Sequence, residues 1–157
     1  MNSSVITNIT VYEAIAEDAH QKMHELIDSG RRPKPDGSPG WIVSWDPYQA
    51  SFKQAMIVIV FIGIWLEALM HLLIVRGHGE QKFKEYDFKT YEEKLRLLDV
   101  SDQQIIDRVT RFRKTRKVLV HEKAHFDDGE ILWAQKEADN AHELLVALRE
   151  QFTLKHG

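Results

Sequence analysis

The chain contains no cysteine, so disulfides and thiol chemistry are excluded, and a reducing compartment is allowed without being required. Proline is confined to one stretch: all four prolines stand in RRPKPDGSPGWIVSWDP, residues 31–47, which must be a loop with room for a short extended piece at Trp41 to Ser44. No internal repeat and no low-complexity tract is present. Net charge is nearly absent too; a formal value of −3 says nothing by itself about a polyanionic partner. The opening MNSSVITNIT lacks a basic region followed by an apolar stretch, so no secretory signal is visible and a cytoplasmic protein is expected. At 157 residues the chain is expected to be a single domain, 1–157, large enough to bury a real core.

What the chain does have is one long apolar run. From Ala55 to Val75 only Glu67 and His71 interrupt it, Gly63 aside, between Lys53 and Arg76. Its length suits a membrane span. An acid and an imidazole inside a span are expensive, however, and no second span exists. A helix apolar all round is also what the centre of a helical bundle looks like, so the expectation is a bundle helix and no membrane partner.

The remaining segments supply companions for it. Asn8 to Ser29 carries Val11, Ile15, Ala19, Met23, Leu26 and Ile27 at helical spacing and stops at Gly30. Asp46-Pro47 reads as cap and first-turn proline of the apolar helix, which should end at Gly77-His78-Gly79. Thr90-Tyr-Glu-Glu93 and Ser101-Asp-Gln-Gln104 both match the capping box, predicting a short helix near 91–98 and a longer one from 102. After Asp127-Asp128-Gly129, an amphipathic helix with Leu132, Trp133, Ala138, Ala141, Leu144, Leu145 and Leu148 runs to about Phe152. The predicted fold is all-α, a bundle of four main helices with one or two short extra helices.

The helix from 102 is the most unusual. Arg108, Arg111, Arg113, Lys114, Arg116 and Lys117 fall within ten residues with no acid among them, a candidate anion-binding face that competes with the reading of a solvated helix surface. Its apolar stripe runs Ile105, Val109, Phe112, then Leu119 and Val120, and Arg116 falls inside that stripe. A guanidinium cannot shed its proton, so a carboxylate, a phosphate or a partner subunit must meet it there. His121 follows five residues later.

An apolar helix with an internal acid, a glycine break, a short helix containing EEKLRLL, a basic helix ending in RFRKTRKVLVHE and a closing amphipathic helix together resemble the HEPN domain family over roughly 47–152. The R-x4-H pattern of that family falls on Arg116 and His121. The resemblance implies a dimeric helical bundle that acts in many members as a metal-independent RNA endonuclease of toxin, phage-defence or RNA-processing systems, and in others only binds or scaffolds. It assigns Arg116 and His121 the motif roles and puts Glu67 where the family often has a polar residue. Arg108, Arg111, Arg113, Lys114 and Lys117 become the RNA-binding set, and an antitoxin protein becomes a potential partner. No metal or other cofactor is implied. Two positions depart from the family: Lys117 stands where Asn, Asp or His usually follows the motif arginine. Lys123 stands where the subgroup paired with nucleotidyltransferase antitoxins has tyrosine, so modification by nucleotide transfer is not implied.

The residues suit the chemistry on their own terms. Histidine exchanges a proton near neutral pH, and arginine holds two phosphate oxygens through its planar fork. Residues five apart on a straight helix diverge by about 140°, so either the helix unwinds near His121 or a second subunit completes the site. Glu67 and His71, one turn apart, are expected to face Arg116. The structural alternative makes Glu67–Arg116 a buried ion pair without chemistry and His121 a helix-end histidine interacting with the dipole. His78, His125 and His142 read as surface residues. His121-Glu122-Lys123-Ala124-His125 is also a literal H-E-x-x-H zinc-hydrolase motif, with Glu137, Asp139 or Glu143 as candidate third ligand. A chance match is plausible among eight histidines, and Asp127-Asp128-Gly129 ends the helix almost at once.

Overall fold

The apolar run forms α2 (Ala50–His78), and the rest of the chain is arranged about it. In the computed structural model, residues 7–44, 46–120 and 133–153 are described. They form α1 (Ile9–Ser29), a hairpin of β1 (Arg31–Pro33) and β2 (Trp41–Val43), α2, the short α3 (Glu80–Tyr86) and α4 (Tyr91–Leu97), then α5 (Gln103–Val120) and α6 (Ala134–Thr153). The architecture is an all-α bundle: α1, α2, α5 and α6 are the main helices and α3 and α4 the short extras. α1 packs along α2, and α6, α5 and α4 also pack against α2.

The core follows from side-chain periodicity. Ile59, Ile62, Leu66 and Met70 of α2 are fully buried, against Ala16 and Met23 of α1, Val109 and Phe112 of α5, and Leu144, Leu145 and Leu148 of α6. Each such aliphatic side chain contributes roughly 1.5–3 kcal/mol on burial. Among the described residues α2 alone has the length and apolarity to cross a membrane, and 61% of its most apolar stretch is buried by protein. One stripe of α2, made of Ile57, Val60, Phe61, Ile64 and Ala68, is only half-buried.

Helix ends hold the differences from the sequence expectations. The Thr90 capping box forms as predicted: Glu93 N donates to Thr90 Oγ1 at 3.3 Å and Thr90 N to Glu93 Oε2 at 2.9 Å. At α5 the cap is Asp102 rather than Ser101, its carboxylate accepting from Gln104 N at 2.9 Å. Asp46 does serve α2, accepting from Ala50 N at 2.6 Å, but Pro47 is not in the first turn. The helix starts at Ala50, after Gln49 takes a left-handed conformation with φ 50°. α1 stops before Gly30, although Gly30 has φ −85° and no left-handed turn. The extended piece at 41–43 is real and has a partner the sequence did not reveal: Arg31 pairs with Val43 and Pro33 with Trp41. α3 was not anticipated either. It buries no residue, so no apolar stripe announces it, and it is braced by the Lys84–Glu80 and Lys82–Glu85 pairs at 2.8 and 2.9 Å.

Candidate functional site

Arg116 does point inward from α5, and Gly63 of α2 is what makes room for it. A Cβ at position 63 would lie 2.5 Å from Arg116 Nε, 2.8 Å from Cζ and 2.9 Å from Cδ. The guanidinium therefore lies directly over bare α2 backbone. From that seat Nη1 donates to Glu67 Oε1 at 2.7 Å and to Tyr91 Oη at 3.0 Å, while Tyr91 Oη donates to the same Glu67 oxygen at 2.8 Å. Nε is buried and has no hydrogen-bond partner among the described residues. Burial works against the charge on Arg116, but Glu67 and Tyr91 more than offset it, and the pKa rises. Burial and the Glu67 carboxylate together push the Tyr91 phenol well up, so it stays protonated and remains a donor.

The pair is not sealed in the core. Arg116 is 23% exposed and Glu67 52%, because both stand on the wall of an open cleft of about 810 Å³. Its other walls come from Ala68 and His71 of α2, Phe83 of α3, the 87–90 turn, Tyr91 and Lys94 of α4, and Arg113 and Lys117 of α5. Cations outnumber acids on these walls: Lys89, Lys94, Arg113, Arg116 and Lys117 face Glu67 and Asp87. Lys94 is buried, donating to the Asp87 carbonyl at 2.9 Å, and burial lowers its pKa. His71 lines the same cleft but stacks on Phe83 at 4.0 Å instead of meeting Arg116 directly.

The basic face predicted on α5 is divided by its neighbours. Arg113 reaches Glu92 at 3.2 Å, and Arg108 reaches Glu143 at 2.7 Å. Arg111 donates through Nε to Glu137 at 3.1 Å and makes a second, shorter bond through Nη2. Glu137 is only 3% exposed and also accepts from Thr115 Oγ1 at 2.9 Å and Asn140 at 3.3 Å. Burial opposes its charge, yet these donors prevail and its pKa is lowered. Arg108 and Arg111 thus stitch α5 to α6, whereas Arg113, Arg116 and Lys117 look into the cleft. Lys114 is exposed, and neither it nor Lys117 pairs with an acid among the described residues.

His121 and the whole HEKAH motif lie outside the described residues; α5 is described to Val120, the residue before. The candidate third ligands for that motif have other engagements: Glu137 with Arg111, Glu143 with Arg108, and Asp139 with two histidines. One surface assignment needs correction. His142 is only 21% exposed, with Nε2 at 2.7 Å from Glu17 Oε2 and its ring stacked on His20 at 3.9 Å.

Tyr91 and Lys94 escaped the sequence reading. They reach Arg116 and the cleft only because α4 folds back on α2, and no local pattern encodes that return. Gly63 did carry a signal, as a lone glycine inside an apolar helix run. No family model, no curated protein and no solved structure matches the chain.

Proposed function

We propose that this is a HEPN-like domain that binds RNA and cleaves it without a metal, with Arg116 on the scissile phosphate and His121 as the proton-transferring group. The observation that carries this reading is the seat of Arg116: a charged group held over Gly63, largely buried but still reaching solvent, on the wall of a cleft with an excess of cations. In that role the Glu67–Tyr91 pair orients the guanidinium through Nη1, and Nη2, which has no partner among the described residues, is the nitrogen that would take phosphate oxygens. The ribose 2′-oxygen attacks phosphorus, the 5′-oxygen leaves, and a 2′,3′-cyclic phosphate remains. A histidine takes the 2′-hydroxyl proton and a histidine gives one to the leaving oxygen, a task suited to two His121 side chains brought together by a two-fold axis. Lys117, Arg113 and Lys114 would then guide the polyanion.

A toxin or defence setting and an antitoxin partner belong to the same proposal, as does a cytoplasmic location. The test is direct. Purified protein incubated with RNA in excess chelator should produce fragments ending in cyclic phosphate. Intact RNA at every pH tested between 5 and 9 would contradict the reading.

A second reading has its own observation. Glu67 already neutralises Arg116, and Arg108, Arg111 and Arg113 are each paired with an acid. That pattern suits a noncatalytic scaffold of the same fold, in which Arg116 only joins α5 to α2 and α4. RNA binding without any cleavage, or neither, would favour it.

A further inference from the structure

The α1–α6 seam holds a second constellation. His20 and His24 are one turn apart on α1, and Asp139 stands opposite on α6. The same seam is crossed by His142 Nε2, 2.7 Å from Glu17 Oε2, and by Arg149, which donates to Glu13 at 2.8 Å. His20 Nε2 is 2.8 Å and His24 Nε2 2.7 Å from the same oxygen, Asp139 Oδ1. All three ligand atoms lie within 4.8 Å of one another.

We infer that His20, His24 and Asp139 form a binding site for a divalent transition-metal ion, zinc foremost, that fastens α1 to α6. Two imidazoles at i and i+4 present their nitrogens on one helix face, the spacing that pairs histidines on zinc. A carboxylate from another helix makes the third ligand of a two-histidine, one-carboxylate set, which suits zinc with an open fourth position and also fits ferrous iron. Tetrahedral bonds of about 2.0–2.1 Å put neighbouring ligand atoms about 3.3 Å apart, so each nitrogen need move only about half an ångström from its present hydrogen-bonded distance to the Asp139 oxygen. Both nitrogens and the shared oxygen already converge, so an ion replaces protons between them.

Solvent access agrees: His20 is 18% exposed, while His24 at 45% and Asp139 at 41% leave a side open for water as fourth ligand. His142 stacks on His20, with an interplanar angle of 6°, and fixes the plane of that ring. The site shares no residue with the Arg116 cleft, so it goes beyond the nucleolytic reading and stands whether or not RNA is cut.

The experiment uses the full chain without a histidine tag, stripped by chelator and titrated with cobalt(II), whose visible bands report an imidazole-rich, low-coordinate site. One cobalt per chain should bind, and zinc should displace it. His24→Ala and Asp139→Asn should each weaken binding at least tenfold, while His125→Ala should leave it unchanged. Circular dichroism checks that the variants fold. In the unaltered chain, zinc should shift the ring resonances of His20 and His24 in histidine-selective NMR spectra. Absence of saturable cobalt binding, binding that survives both α1–α6 variants, or binding lost with His125→Ala would overturn the proposal. Because RNA cleavage is not the readout, failure of the nucleolytic reading would leave these results intact.

Discussion

A guanidinium half-removed from water keeps its charge only if its surroundings replace the lost solvation. At Arg116 that replacement comes from a carboxylate, a phenol and the absence of a side chain at position 63. Its inward direction was legible from the sequence, since the residue interrupts an apolar stripe of period 3.6. Glu67 as its neighbour was legible too, as the one acid in an apolar run. Tyr91 was not, because the contact depends on where α4 lands. Gly63→Ala separates position from stability. Alanine favours the helix by about 1 kcal/mol over glycine, which should roughly offset the lost guanidinium contacts. The added methyl must push Arg116 out of its seat, however. Melting temperature should therefore change little while RNA cleavage falls about 100-fold, as displacements of this size do in positioned sites. An unchanged cleavage rate would show that the seat over Gly63 is immaterial.

At the scale of elements, one buried acid, Glu137, anchors the polar side of the α5–α6 junction. Glu137 joins Arg111 and Thr115 of α5 to its own helix, and its lowered pKa links this junction to pH. A depressed carboxyl pKa contributes stability that is fully present above the unfolded value of 4.5 and lost as pH falls through the folded value. Glu137→Gln should cost about 2 kcal/mol at pH 7, measured from urea midpoints, and much less at pH 3, where the native carboxylate is itself being protonated. Equal losses at both pH values would assign the effect to shape instead of charge. Element boundaries show where sequence information is local. The Thr90 box was legible because four consecutive residues encode it, and α2 because its apolarity is continuous. The extended piece at 41–43 was legible, but its partner β1 and α3 were not, since neither buries a patterned face.

At the scale of the whole molecule, the half-buried stripe Ile57, Val60, Phe61, Ile64 and Ala68 runs along α2 into the cleft that holds Arg116. A second copy covering this stripe would also bring two Arg116–His121 pairs near one axis. The chain should sediment as a homodimer at micromolar concentration, and Phe61→Lys should shift it toward monomer. A monomeric wild-type chain would remove the composite site. If, as proposed, Arg113, Lys114 and Lys117 neutralise several phosphates, RNA affinity should also fall steeply between 50 and 200 mM salt; a flat salt response would argue against that role. The bundle as a whole was legible from helix count and apolar pattern. How α5 shares its arginines with Glu92, Glu137 and Glu143 was not, because those pairs span 21, 26 and 35 residues.

The central claim is that Arg116 and His121 act together on RNA. Its most direct test is the single-turnover cleavage rate, in chelator, of the wild-type chain, Arg116→Ala and His121→Ala, alongside their thermal melts. The account predicts cleavage by the wild type and a loss of at least about 100-fold in each variant, with cooperative unfolding retained. Variants that fold and cleave as fast as the wild type would contradict it.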